Sequence, residues 1–175
     1  MKTAIIGGGA AGFFAAIHAA SPHNEVFIFE KTPKLLSKVK ISGGGRCNVT
    51  HRPMEIAKLV KNYPRGEKFL KKVFRHFKQE DTFQWFESRG VQLKIESDGR
   101  VFPVSDQSSS IIEALLKEAK AKNIRIETGM NLKRMEANGN TWTLHFDSGS
   151  RQFDKVVICS GGHPKTEGYQ FKVRF

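Results

Sequence analysis

Gly7, Gly9 and Gly12 fall in G-x-G-x-x-G spacing, Ala10 and Ala11 fill the gap before the last of them, and Glu30 stands 18 residues further on. Those types at those distances suit the recognition of a dinucleotide. The first glycine permits a tight turn and the second lets backbone approach a pyrophosphate. The third lets a helix pack closely on the preceding strand. A carboxylate at the position of Glu30 can accept hydrogen bonds from both hydroxyls of an adenosine ribose, and it repels the 2′-phosphate of NADP.

The flanking segments are those needed to hold such a loop. Thr3-Ala4-Ile5-Ile6 reads as a buried parallel strand, Phe13 to Ala20 as a small apolar helix, and Glu25-Val26-Phe27-Ile28-Phe29 as a second strand ending at Glu30. The N-terminus of that helix presents N–H groups and the positive end of its dipole to phosphate. Two other readings fit less well. A flexible glycine linker is not bracketed by buried strands. A secretory signal with Ala19-Ala20-Ser21 as its cleavage site would be interrupted by three glycines in its apolar region.

Ser42-Gly43-Gly44-Gly45-Arg46-Cys47-Asn48 is a second candidate site. Successive N–H groups in glycine turns form concavities for anions. Arg46 offers a guanidinium to phosphate or to an electron-rich carbonyl, and Asn48 offers a donor and an acceptor to a heterocycle edge. Lys38 and Ser42 lie where a further phosphate contact is useful. Cys47 beside an arginine invites a redox role, but it has no CxxC partner, and packing or cofactor lining is the preferred reading. His163 follows Gly161-Gly162 as a possible proton donor, though a loop histidine without a partner is more often structural. His51, His76 and His145 lack metal-ligand spacing, and Trp85 and Phe86 are expected in a helix core.

The remaining pattern predicts the architecture. Lys31 to Arg52 reads as a long ordered loop. Helices follow at Met54 to Asn62, along the stripe Phe69, Leu70, Val73, Phe74 and Phe77, and from Thr82 to Arg89. Together these make a helical insertion over about residues 51–90. Val91 to Ile95 and Arg100 to Val104 read as strands, and a helix runs from the Ser105–Ser108 caps to Lys122. Ile124 to Glu127 returns to the parallel sheet. Leu132 to Ala137 and Thr141 to Phe146 flank Asn138-Gly139 as a hairpin, and Phe153 to Cys159 is a further buried strand ending in Ser160-Gly161-Gly162. The predicted fold is α/β: a Rossmann-type parallel sheet with a β-meander crossover, as in glutathione-reductase-like FAD domains. That ranks FAD above NAD as the ligand. A plain NAD-binding Rossmann dehydrogenase fragment is the alternative.

The string Ser42 to Asn48 resembles the S-G-G-G-R-C-N signature of the BaiN-like or aminoacetone-oxidase-like NAD(P)/FAD-dependent oxidoreductases. The resemblance extends through Gly7–Gly12, Glu30-Lys31, Lys38, Gly90-Val91, Gly99-Arg100-Val101-Phe102-Pro103, Ser105-Asp106 and Ser160-Gly161-Gly162-His163-Pro164-Lys165. It implies that Glu30 holds the adenosine ribose and Gly9 to Gly12 the pyrophosphate, with Lys31 among the cofactor-binding residues. It also implies that the Lys38–Asn48 loop follows the ribityl–flavin side and that backbone near Leu132 meets the adenine. The activity it implies is oxidation or reduction of a small organic molecule through FAD, with NAD(P)H as a possible electron donor. Family members are about twice as long, with a substrate-side domain and a final FAD-binding segment. The last five residues, Phe171 to Phe175, depart from their pattern, so the chain reads as a truncated, N-terminal, FAD-binding portion.

Of the net charge of +12, +11 lies in residues 31–75, where 13 Lys/Arg face only Glu55 and Glu67. A basic nucleic-acid-binding module is therefore a rival reading. No nucleic-acid motif accompanies it, and a solvated helix face or a field attracting an anionic cofactor is preferred, with no specific nucleic-acid partner expected. No apolar run reaches the roughly 18 residues of a membrane span. Two cysteines in unrelated contexts and no convincing signal place the expectation in the cytoplasm.

Overall fold

The computed structural model describes residues 1–162 and 172–174, which form two compact units. The first comprises residues 1–38 and 115–175, and the second residues 39–114.

In the first unit, strands β1 (Lys2–Ile6), β2 (Glu25–Glu30), β6 (Arg125–Thr128) and β10 (Lys155–Ile158) form a parallel sheet in the order β10-β1-β2-β6. Helix α1 (Ala10–Ala19) connects β1 to β2, and its buried residues are Gly12, Phe13, Ala16 and Ile17. A β-strand, helix, parallel β-strand connection of this kind is the unit expected from the alternation of apolar runs and glycine turn. An antiparallel meander, β7 (Leu132–Asn138), β8 (Thr141–Phe146) and β9 (Gly149–Phe153), supplies the second layer. Alternation along each strand sends Ala4, Ile6, Phe27 and Phe29 into one core with Leu132, Met135, Leu144, Phe146 and Phe153. Phe153 meets Phe27 and Phe29 edge-on, with ring centroids 5.4 and 5.6 Å apart. Edge-to-face contacts of this type add about 0.5–1.5 kcal/mol to area burial. Strand β11 (Lys172–Arg174) pairs parallel to β7.

The second unit carries β3 (Thr50–His51), β4 (Leu93–Ile95) and β5 (Arg100–Pro103) as an antiparallel sheet in the order β3-β5-β4. Its helices are α3 (Ile56–Leu59), continued by a 3-10 turn over Val60–Asn62, then α4 (Glu67–Val73) and α5 (Gln79–Glu87). Trp85 and Phe86 are buried, as the helical pattern predicts, and they pack edge-on at 4.8 Å. Helix α6 (Ser108–Ala121) and the short helix α2 (Ser37–Ile41) each contain a boundary between the two units. The second unit is thus wider than a helical insertion over 51–90, because it includes a sheet of its own.

Four sequence expectations need correction. The predicted loop from Lys31 to Arg52 contains α2, a 3-10 turn over Ser42–Gly45 and strand β3, which glycines at positive φ allow to follow one another closely. The hairpin turn lies one residue later than predicted. Asn138 pairs with Thr141, so Gly139 (φ 58°) and Asn140 make the turn. The strand predicted over Phe153 to Cys159 is largely exposed beyond Phe153, since among the described residues β10 has β1 alone as a neighbour and Val157 and Ile158 face solvent. Finally, α4 buries none of its residues. Its stripe is only half covered at Leu70 and Phe74 and is open at Phe69 and Val73. No helix among the described residues is long and apolar enough to cross a membrane.

Candidate functional site

The carboxyl ends of β10, β1 and β2 lie side by side, with Ile6 opposite both Ile158 and Phe29. In a parallel sheet this edge receives the ligand. The loop after β1 is pinned there by the amide of Gly7, which donates to the Phe29 carbonyl at 2.8 Å. The Cys159 amide in turn donates to the Ile6 carbonyl at 2.7 Å. Ser160, Gly161 and Gly162 then continue from β10 at the same edge, all exposed.

Close approach explains the glycines. A Cβ on Gly12 would stand 1.9 Å from the Gly7 carbonyl oxygen, so the first turn of α1 touches the loop backbone directly. A Cβ on Gly9 would meet nothing within 4 Å among the described residues. Helix α1 has no side-chain N-cap and no acidic residue in its first turn. Its leading N–H groups and dipole therefore face open space at Gly9, which is the cradle a pyrophosphate requires. Ala10 and Ala11 are exposed in that first turn.

Glu30 is held in place from two sides. The Gly8 amide donates to Oε2 at 2.8 Å, while the amide and hydroxyl of Thr32 both donate to Oε1 at 2.9 Å. A carboxylate oxygen can accept more than one hydrogen bond, and Oε2, which accepts only from Gly8 among the described residues, keeps capacity for a ribose hydroxyl in an already oriented group. Gly8 and Thr32 are the residues that sequence reasoning missed. A Cβ on Gly8 would lie 2.7 Å from Leu35 Cδ2 and 2.9 Å from the Glu30 Cβ, and the Gly8 carbonyl accepts from the Leu36 amide at 2.9 Å. The run of three glycines was the available signal, since G-x-G-x-x-G leaves the second position unassigned.

The other predicted residues of this unit divide. Lys38 is brought to the site, its ammonium 3.6 Å from where a Gly161 Cβ would project, and Lys31 is exposed next to Glu30. Leu132 is buried in the core, and two residues before it the Met130 amide donates to the Glu30 carbonyl at 2.9 Å. His163, Pro164 and Lys165, and the segment Gly168–Phe171, lie outside the described residues.

In the second unit Gly43, Gly44 and Gly45 have φ of 56°, 68° and 87°, followed by Cys47 at 64°. A Cβ on Gly43 would lie 2.8 Å from the Phe102 ring and 2.9 Å from the Asn48 amide nitrogen, so only glycine fits there. Ser42 closes the turn: its carbonyl accepts from the Cys47 amide at 3.0 Å, and its hydroxyl donates to the Val39 carbonyl at 3.1 Å. Asn48 is exposed. Arg46 lies 4.0 Å over the Phe102 ring and is ion-paired to Glu96, with Asp106 at 3.5 Å. Its charge is thus matched by carboxylates of its own unit, and the hydrogen bond to Glu96 raises its pKa further. The loop therefore presents chiefly backbone N–H groups and Asn48. Cys47 is buried, and burial pushes its thiol up rather than down, which fits packing and not redox reactivity. Burial pushes the Cys159 thiol in the same direction. Among the described residues no group of three or more His, Cys, Asp or Glu has a metal-binding arrangement.

The same ion-pair network makes a pH prediction. Lys94, first, and Arg46, second, hold the Asp106 carboxyl below its ordinary range. A lowered folded pKa stabilises the fold above the unfolded value of roughly 3.9, and the contribution disappears as pH falls through the folded value. Asp106→Asn should therefore lower the melting temperature at pH 6–7, and its melting curve should converge with that of the parent between about pH 4 and 2. Equal offsets at pH 7 and pH 2 would show that the charge of Asp106 is not responsible.

Residues 1–170 match the HI0933-like protein Rossmann domain. Over 163 residues the chain is 31% identical to the 3-dehydro-bile acid delta(4,6)-reductase of Clostridium scindens, covering 92% of this chain and 39% of that protein. It is 27% identical over 158 residues to the ribosomal RNA dihydrouridine synthase of Escherichia coli, covering 90% of this chain and 38% of that protein. A flavocytochrome c3 fumarate reductase superposes with a TM-score of 0.66 at 22% identity, over 92% of this chain and 33% of that one, which establishes the shared fold. The chain thus spans under two-fifths of the length of these curated relatives.

Proposed function

Because the chain belongs to the HI0933-like Rossmann-domain family, we propose that it is the FAD-binding portion of a cytoplasmic flavin-dependent reductase. The reaction is addition of two hydrogens across a polarised carbon–carbon double bond, with NAD(P)H as electron donor. One observation carries the cofactor assignment. The uncapped start of α1 opens at Gly9 onto free space, while Glu30 stands oriented at the end of β2. Bound FAD supplies hydride chemistry, and the protein supplies binding, orientation and electrostatics.

Each group on the chain has one task. The first turn of α1 binds the pyrophosphate, Glu30 the adenosine ribose, and Lys38 offers positive charge beside Gly161. The turn Ser42–Asn48 binds the ribityl and flavin side through backbone N–H groups and Asn48. The double-bond chemistry is supported by the relatives. A delta(4,6)-reductase and a dihydrouridine synthase both yield products with two added hydrogens. In the overall balance NAD(P)H gives up a hydride, solvent gives a proton, and NAD(P)⁺ leaves. Two substrate classes follow, a small polycyclic acid and a uracil ring in RNA.

The test is direct. The 175-residue chain, incubated with FAD and passed through a desalting column, should retain absorbance near about 450 nm that denaturation releases as free FAD. A chain that takes up NAD⁺ but no FAD would overturn the assignment in favour of the dehydrogenase reading.

A further inference from the structure

Helix α4 and the residues beside it form a surface for which the flavin reading has no use. Between Pro53 and Lys78 stand eight Lys or Arg against the carboxylates Glu55 and Glu67. Glu67 is occupied by Lys61 at 2.8 Å. Lys68, Lys71, Lys72 and Arg75 are exposed, and none pairs with a carboxylate among the described residues. At 100° per residue Lys68, Lys71 and Lys72 fall within one arc of about 100° on α4, a basic ridge, and Arg75 follows in the turn just after the helix. Phe69 and Val73 occupy the arc adjoining Lys72, and they are 69% and 39% exposed. Tyr63, 41% exposed, packs on Phe74 at 5.6 Å between ring centroids.

A solvated helix face accounts for the lysines but not for an uncovered phenylalanine beside them. A basic ridge tracks a phosphate backbone, and exposed aromatic rings next to it stack on unpaired bases. We propose that the α4 surface, Lys68, Lys71, Lys72 and Arg75 with Phe69, docks single-stranded RNA. Charge complementarity commits it to a polyanion, and the aromatic ring to one with accessible bases. The choice of RNA over DNA rests on the reductase reading, in which a uracil ring in RNA is one substrate class.

The experiment is fluorescence anisotropy of a 5′-fluorescein-labelled 20-nucleotide oligouridylate, titrated with the whole chain at 50–300 mM KCl. FAD content is measured in the same samples. Binding should weaken with salt, and the charge-reversed variant Lys68→Glu/Lys71→Glu/Lys72→Glu should lose about 100-fold or more at low salt. The neutral variant Lys68→Gln/Lys71→Gln/Lys72→Gln should reduce the log–log salt slope by about 2, near 0.7 per lost contact. Phe69→Ala should weaken binding by about 5- to 150-fold with the slope unchanged. Thermal melting confirms that each variant is folded.

No binding at 50 mM KCl, binding indifferent to all three variants, or tighter binding of the matching oligodeoxynucleotide would overturn the proposal. So would co-sedimentation with phosphatidylglycerol vesicles that outcompetes the oligouridylate. RNA binding by samples devoid of FAD leaves this surface standing while the flavin assignment fails. FAD uptake without RNA binding does the reverse.

Discussion

Gly12→Ala should abolish FAD uptake and also lower the melting temperature, whereas Gly9→Ala should abolish uptake and leave stability nearly unchanged. The two outcomes differ because the added methyl group meets different things. At Gly12 it would lie 1.9 Å from the carbonyl oxygen of Gly7, a backbone atom with no rotamer to adopt. Either α1 lifts from β1 or the loop shifts, and both displace the N–H groups that face the phosphates. Overpacking of this kind costs typically about 1–3 kcal/mol, and the lost alignment removes several charge-assisted hydrogen bonds as well. At Gly9 the methyl group meets nothing within 4 Å among the described residues and would project into the space proposed for the pyrophosphate. Melting curves read beside flavin absorbance near about 450 nm separate the cases. Equal flavin content in both variants and the parent would show that this loop is not a phosphate cradle.

Glu30→Ala is the second large effect. It should weaken FAD binding by roughly 1.5–3 kcal/mol, about 10- to 150-fold, through loss of the proposed charged hydrogen bonds to the ribose. Structural loss accompanies it, because the amides of Gly8 and Thr32 both depend on this carboxylate. Glu30→Gln distinguishes the two contributions. It keeps an acceptor while removing the charge, so it should retain more of the fold than of the affinity. Equilibrium dialysis with FAD measures the affinity. Affinity unchanged in both variants would remove the ribose from Glu30.

Much of this was legible before any coordinates. The strand, glycine turn, helix, strand and Glu30 follow from local sequence, because apolar runs with period two or 3.6 and close-approach glycines leave few alternatives over 30 residues. The meander was equally plain from alternating residues around Gly139. Long-range surroundings were not legible. Arg46 looked like a free guanidinium, and only folding brings Glu96, Phe102 and Asp106 around it from residues 50 to 60 positions away. For Cys47 the sequence favours packing over activation by its neighbour, and burial in the folded unit, which pushes the thiol up, supports that choice. Lys38 and Gly161 are distant in sequence and meet only because β10 returns beside β1.

Helix α4 marks the boundary most clearly. Spacing alone gave Phe69, Leu70, Val73 and Phe74 to a buried stripe, since apolar residues at helical period usually face a core. Periodicity reports that a face exists, but it contains nothing about what covers it. Burial depends on elements that arrive from elsewhere in the chain, and here they leave Phe69 and Val73 in solvent beside four cations that pair with no carboxylate among the described residues. By itself the sequence determined the dinucleotide unit, the Rossmann class and the family signature at Ser42–Asn48, all of which are encoded within short stretches. Tertiary structure alone decided which charges are matched, which thiols are buried and which aromatic rings remain open to a partner. Those properties depend on desolvation and proximity, which exist only once distant segments have packed.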